Sequence, residues 1–291
     1  GAGGQMTKAH TTIIDARVLA ENLDRPDWQV MDCRFDLMHK QAGQQNYLAS
    51  HIPNALYAHL EADLSGPLTD STGRHPLPKV ADLADRFCRW GIDEGTQLIV
   101  YDGQSGALAS RLWWLSRWLG HEKGAVLNGG FAAWQAAGLP IETDIPAVTT
   151  GHFIARPNDA LWVSSDTVQQ VLGDHTGVLV DAREERRFRG EVEPLDKVAG
   201  HIPGSVNYPF EWNLDAEGKF LTPEKLQAHF SQTVINITGK KIIHSCGSGV
   251  TACHNILAME IMGLSGSLLY PGSWSEWITD PNRQVSREKE S

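Results

Sequence analysis

Short apolar runs alternate with amphipathic stretches along this chain. "WQVMDCR" (28–34) and "GVLVDARE" (177–184) read as strands that end in Asp-Cys-Arg and Asp-Ala-Arg. "QLIVYD" (97–102) and "KIIHSC" (241–246) are nearly all apolar, the pattern of strands covered on both faces. "KVADLADRFCRWGI" (79–92) places apolar residues at helical spacing and closes on Gly91, a glycine suited to the position just past a helix end. Strand, helix, strand, helix predicts an α/β fold with mostly parallel sheets. Ligands of such sheets gather at the carboxyl ends of the strands.

The pattern occurs twice. "YLASHIPNALY" (47–57) is echoed by "KVAGHIPGSVNY" (197–208), with His51 and His201 150 positions apart. "LIVYDGQSGALASRLWWLSRWLGH" (98–121) is echoed by "IIHSCGSGVTACHNILAMEIMGL" (242–264), which sets Asp102 against Cys246 at an offset of 144. "LNGGFAAW" (127–134) is echoed by "YPGSWSEW" (270–277), with Trp134 and Trp277 143 apart. Landmarks in one order at nearly one offset indicate a duplicated domain. The expected limits are 9–142 for the first copy and 161–285 for the second. Residues 143–160 form a linker, part of a stretch from Leu139 with three prolines and no sustained periodicity. His51 and His201 stand in both copies and read as structural. The helical spacing of "WWLSRW" (113–118) marks most tryptophans as core, while Trp212 is a candidate to line a cleft.

The net charge of −10 and the lack of a basic block argue against a nucleic-acid partner. No apolar run is long enough to cross a membrane. Residues 1–5, "GAGGQ", read as a cloning remnant, and no signal-peptide pattern follows Met6. The four cysteines, Cys33, Cys88, Cys246 and Cys253, show no disulfide-framework spacing, which fits a reducing cytoplasm.

Cys246 stands where a strand passes into a helix. Most free cysteines are buried small hydrophobes, and Cys33, Cys88 and Cys253 read that way. Packing does not require the Gly-x-Gly that follows Cys246. Gly247 and Gly249 let the backbone curl so that successive N–H groups form a nest for negative charge, and a helix starting near Thr251 adds its positive end. Both effects favour a thiolate, the attacking form of cysteine. A phosphatase loop would need arginine at position 252, which is Ala252. "GSGVTA" matches a dinucleotide pattern, but the acidic residue expected after the next strand has no counterpart in "SGSLLYPGSW". No residues around Cys246, Cys253 and His254 show zinc-type spacing, so neither metal nor cofactor is expected.

"CGSGVTAC", "GHIPGSVN" and "GSWSEW" together resemble the two-domain rhodanese family of sulfurtransferases, over about residues 10 to 285. The Cys-Gly-Ser-Gly-Val-Thr loop is most similar to the 3-mercaptopyruvate branch. The thiosulfate branch carries basic residues directly after the cysteine, where this chain has neutral Gly247 and Ser248. The resemblance implies two tandem rhodanese-like domains and a persulfide on Cys246. Loop residues Gly247, Gly249, Val250 and Thr251 would hold substrate. A thiol such as a thioredoxin-like protein or small thiol, or cyanide, would accept the sulfur. The first copy, with Asp102 in place of the thiol, would be non-catalytic. Arg187 would bind the donor carboxylate, although "REERRFR" could also be a solvated charge run. A second family arginine falls on Leu195, with Lys197 or Arg183 as candidate substitutes. Ser248, His75 and Glu61 would form a proton relay, with Asp63 as an alternative acid. The competing readings are a thiosulfate:cyanide sulfurtransferase, a persulfide carrier for a protein partner, and an inactive tandem. A monomer is expected, because the duplication already supplies a two-domain cleft.

Overall fold

A computed structural model describes residues 8–287; the leading segment read as a cloning remnant lies outside them. The first half runs β1 (Ile13–Ile14), α1 (Ala16–Asn22), β2 (Trp28–Asp32), α2 (Ala42–Ala49), β3 (Leu56–Tyr57), α3 (Val80–Arg89), β4 (Gln97–Tyr101), α4 (Ala109–Trp118), β5 (Gly124–Leu127) and α5 (Gly130–Ala136). Its sheet has the order β1-β5-β4-β2-β3. The second half runs α6 (Ser165–Asp174), β6 (Gly177–Asp181), α7 (Glu185–Phe188), β7 (Val206–Asn207), α8 (Pro223–Thr233), β8 (Lys241–Ser245), α9 (Ala252–Ile261), β9 (Leu268–Leu269) and α10 (Ser273–Trp277), with sheet order β7-β6-β8-β9. Every ladder in both sheets is parallel. A parallel bridge from Trp162 to Leu269 stands where β1 borders β5 in the first copy.

The continuous apolar strands sit at the sheet centres. β4 is buried at every position, and β8 at all but its first. α4 and α9, the helices that follow them, pack on each other between the two sheets. That position explains why both are buried almost all round, as a helix enclosed on every side must be. The largest apolar cluster therefore runs through the domain boundary, joining Leu83, Phe87 and Trp114 to Leu226, Ile256 and Met259. Smaller clusters lie on the outer face of each sheet.

The repeated His-Ile-Pro turns have a conformational cause. Their fourth residues, Asn54 and Gly204, both take left-handed backbone (φ 70° and 86°), which asparagine and glycine tolerate best. His51 Nδ1 bonds the Tyr47 carbonyl and His201 Nδ1 bonds the Phe188 carbonyl, each at 2.7 Å, and each imidazole stacks on that same residue's ring. The histidine backbones also bridge to Glu142 and Ser286. These histidines pin the segment that leaves each copy. Among the described residues, no helix is long and apolar enough to cross a membrane.

Candidate active site

The loop after β8 is seated by the third repeated landmark. The Cys246 N–H donates to Ser273 Oγ at 3.0 Å, Trp274 N–H donates to the Cys246 carbonyl at 3.0 Å, and Ser275 N–H donates to the Gly247 carbonyl at 2.9 Å. Ser273 holds φ 55° to make this docking; its counterpart Gly130 holds φ 59°. Gly249 turns at φ 85°, and a Cβ there would overlap the Pro271 carbonyl. The turn directs the Gly249 N–H at Cys246 Sγ, 3.0 Å away. The thiol is buried, with 2% of the residue exposed. Thr251 stands at the N-cap position of α9 with no side-chain capping bond, so the positive end of that helix opens at the loop. Val250 is packed into the shared core, so its backbone is what it can offer a ligand.

The first copy corrects one expectation. The first-copy loop "DGQSGALAS" lacks the close Gly-x-Gly spacing, from which its N–H groups are not expected to form the same nest. They do converge, on Asp102 itself. Gln104 and Gly106 donate to Oδ1 at 3.2 and 3.0 Å, and Leu108 and Ala109 donate to Oδ2 at 2.9 and 3.0 Å. The loop is one residue longer than its counterpart, with α4 starting at Ala109 and α9 at Ala252. The extra residue lets a carboxylate reach its own nest. The position that holds a thiol in the second copy holds a carboxyl group bonded by four backbone N–H groups in the first.

A histidine from the first half reaches the thiol loop. His75 Nδ1 lies 2.7 Å from Ser248 Oγ, and its Nε2 lies 3.0 Å from Glu61 Oε2. Glu61 Oε1 is paired with Lys40 Nζ at 3.0 Å. The alternative acid, Asp63, is turned away and accepts the His59 N–H at 2.8 Å. Burial raises the Glu61 carboxyl, but hydrogen bonds from Lys40 and His75 outweigh it and hold it below its ordinary value. Burial, reinforced by the Arg111 charge and opposed by the Glu61 hydrogen bond, lowers His75 to about 4. His75 is therefore neutral near pH 7. An ionised Glu61 accepts a hydrogen bond from the Nε2–H, which fixes the proton there and leaves Nδ1 to accept from the Ser248 hydroxyl.

Two more buried histidines behave alike. Burial lowers His254 to about 4 and His244 to about 3. His254 also crosses the domain boundary, with Nε2 2.9 Å from the Ser105 carbonyl and Nδ1 accepting from Asn213 at 3.0 Å. An unfolded histidine titrates near 6.5. Below that pH the unfolded chain binds protons that the folded chain refuses, so stability falls as pH drops from about 6.5 toward 4. The slope is about 1.4 kcal/mol per histidine per pH unit. Calorimetry should show a Tm at pH 5 well below that at pH 7.5; equal values would count against these neutral, buried assignments.

Basic residues surround the loop. Arg187 is mostly buried and donates through Nη2 to Glu193 Oε2 at 3.2 Å, so it is not a solvated charge. Leu195 contributes only its backbone, donating N–H to Glu193 Oε2 at 2.9 Å. Arg183 does not take the place of the missing arginine. Its Nη2 donates to Asp181 Oδ2 and to the Gly200 carbonyl, both at 2.8 Å. Arg34 makes the same pair of contacts with Asp32 and Ser50 in the copy without a thiol, which marks the arrangement as structural. Lys197 makes no ion pair within 4.0 Å among the described residues. Trp212 packs edge-on against Tyr208. Arg111, Arg74 and Lys40 went unsingled in the sequence. Arg111 is fully buried in α4, yet Nη1 donates to the Gly249 carbonyl at 3.1 Å and Nη2 to those of Leu64, His75 and Pro76 at 2.9–3.2 Å. Only its place in a tryptophan- and leucine-rich helix hinted at a buried role, and Arg117 in the same helix shares that signal.

A family model described as the rhodanese-like domain matches residues 15–137 and again 164–280. A probable 3-mercaptopyruvate sulfurtransferase of Pseudomonas aeruginosa is 46% identical over 276 residues, covering 94% of this chain and 97% of that protein. A putative thiosulfate sulfurtransferase of Mycobacterium tuberculosis is 38% identical, covering 89% and 90%. Among solved structures, the 3-mercaptopyruvate sulfurtransferase SseA of Escherichia coli superposes with a TM-score of 0.80 at 35% identity, over 92% of this chain and all of that one. Two matched halves and close relatives along nearly the full length place this chain in the rhodanese family, as a two-domain sulfurtransferase.

Proposed function

We propose that the protein transfers a sulfane sulfur from 3-mercaptopyruvate to a thiol acceptor through a persulfide on Cys246, and that residues 9–142 and 161–285, joined by 143–160, are its non-catalytic and catalytic domains. The reading rests on one observation above all: a thiol that accepts the Gly249 N–H sits in the same loop as Ser248, whose hydroxyl is bonded by the His75–Glu61 pair supplied by the other half. The Cys246 thiolate attacks the donor sulfur, an S–S bond forms, and the C–S bond breaks. The leaving group is the enolate of pyruvate. The proton from the donor sulfur passes to the enolate carbon, giving pyruvate and a deprotonated persulfide with no net proton change. Ser248 and His75 are placed to hold that proton in transit, because Nδ1 of a neutral imidazole accepts it through the hydroxyl. The loop N–H groups and the helix terminus stabilise the anionic sulfur before and after transfer. An acceptor thiolate then takes the outer sulfur and restores the thiolate, in two covalent half-reactions with ping-pong kinetics.

Arg187 is assigned to the donor carboxylate, since a guanidinium fork matches that group. A charged hydrogen bond is worth about 1.5–3 kcal/mol, so Arg187→Ala should raise KM for 3-mercaptopyruvate roughly ten- to a hundredfold, with a smaller effect on thiosulfate. An equal loss for both donors would assign Arg187 to general anion attraction.

The basic surroundings of the loop, and the M. tuberculosis relative named for thiosulfate, favour thiosulfate as the second reading. Comparing kcat/KM for the two donors decides between them. We expect 3-mercaptopyruvate to give the higher value, and the reverse order would overturn the donor assignment. Continuous release of product separates an enzyme from a carrier, which loads once and stops.

A further inference from the structure

Arg74 precedes His75, but its side chain crosses to the second half. Nε and Nη2 donate to the two oxygens of Asp196 at 2.9 and 3.4 Å. Asp196 Oδ2 also lies 3.5 Å from Arg187 Nη2. One carboxylate, itself only 5% exposed, therefore holds two guanidiniums side by side, one from each half. Among the described residues, these contacts leave Nη1 of both arginines without a protein acceptor, and Arg187 Nε is buried without a partner. The place they close on is the residue after the nucleophile. A Cβ on Gly247 would stand 2.7 Å from Arg74 Nη2 and 3.3 and 3.6 Å from Arg187 Nη2 and Nη1. A larger residue there would have to displace the Arg74 guanidinium from its present position.

Donor sulfur must touch Cys246 Sγ, so the rest of the donor has to lie beside the loop. Two cations over Gly247 with unused donors match an anionic group at that distance. We infer that Arg74 and Arg187 act as a pair that recognises the anionic end of the sulfur donor, with Arg74 supplying from the first half the cation that Leu195 does not. This rests on the donor being an anion, as proposed above. The first half then contributes charge recognition as well as the proton relay. Because neither guanidinium is locked to one donor shape, a thiosulfate dianion can engage the same pair.

Alkylation of Cys246 tests the pair without any sulfur donor. Second-order rates are measured with iodoacetate and with neutral iodoacetamide, with modification located at Cys246 by peptide mass. The ratio of the two rates reports anion attraction and cancels changes in thiol reactivity. Arg74→Gln should lower the iodoacetate-to-iodoacetamide ratio about tenfold, Arg187→Gln similarly, and Arg74→Lys should retain most of the wild-type ratio. The backbone N–H of Arg74 donates to Ser275 Oγ at 3.0 Å, a contact that these substitutions keep. A structural role alone would slow both reagents equally, so an unchanged ratio in Arg74→Gln would overturn the inference. Donor kinetics separate the two readings. If wild-type protein fails to turn over 3-mercaptopyruvate while the ratio still falls in Arg74→Gln, the donor assignment fails and the anion pair stands. If 3-mercaptopyruvate is turned over with an unchanged KM in Arg74→Gln and the ratio is also unchanged, the donor assignment stands and the pair fails.

Discussion

Cys246→Ser is expected to remove sulfur transfer entirely, with turnover falling by at least about four orders of magnitude. A serine hydroxyl is far too weakly acidic to be ionised in this loop, and oxygen cannot carry the persulfide. The fold should survive. The smaller side chain can still accept the Gly249 N–H, and the Cys246 backbone contacts to Ser273 and Trp274 do not involve sulfur. Intact-mass measurement provides the direct check. Wild-type protein treated with donor should gain one sulfur atom that cyanide or a thiol removes, and Cys246→Ser should gain none. A persulfide that persists in the variant would move the nucleophile to another cysteine. Cys253 is a poor candidate, because it is fully buried, burial pushes its thiol well above the ordinary range, and its Sγ is turned to the Gly249 carbonyl.

The second large effect is expected at Arg111. This guanidinium ties the thiol loop of one half to the His75 segment of the other, through the carbonyls of Gly249, Leu64, His75 and Pro76. Arg111→Leu leaves the Leu64 and His75 carbonyls without a donor among the described residues and weakens the bonding of two more, since Pro76 keeps the Gly66 N–H and Gly249 keeps the Cys253 thiol contact. At about 1–3 kcal/mol for each unsatisfied group, partly relieved by relaxation, the loss is on the order of several kcal/mol. For a chain of this size that lowers Tm by roughly 10 °C. Activity should fall further than stability explains, because Ser248 and His75 are aligned only while the two segments are held together. The loss also removes a buried cation bonded to the residue whose N–H faces Cys246 Sγ, which disfavours the thiolate. Arg111→Lys, which keeps the charge but not the fork, should fall between. Calorimetry combined with kcat at a temperature where all variants are folded tests this; a wild-type kcat in folded Arg111→Leu would show that the alignment does not depend on it.

Much of the molecule was legible in the sequence because the signals were local. The strands of β4 and β8 announce themselves as apolar runs, since burial on both faces leaves no polar positions. The repeat was visible because each landmark carries a backbone requirement: the left-handed fourth residue of the His-Ile-Pro turn, and the positive φ at Gly130 and Ser273 that seats the loop. The choice between Glu61 and Asp63 was not legible. The two acids are two residues apart on one loop, and only the three-dimensional turn aims one at His75 and the other at the His59 backbone.

Sequence alone determined the duplication, the parallel α/β class and the thiol loop, since each landmark, strand pattern and loop signature is carried by residues within a few positions of one another. The tertiary structure decided what the loop can use. His75 lies 173 positions from Ser248, and Arg111 lies 138 from Gly249. Arg74 lies 122 from Asp196. No spacing rule links such residues; they meet because α4 and α9 pack between the sheets and press the carboxyl ends of β4 and β8 toward one boundary. Asp102 makes the same point within a single loop. Its composition reads as a weak nest, but one added residue folds the chain so that its own carboxylate collects four N–H groups, and that convergence is a property of backbone geometry, not of residue type.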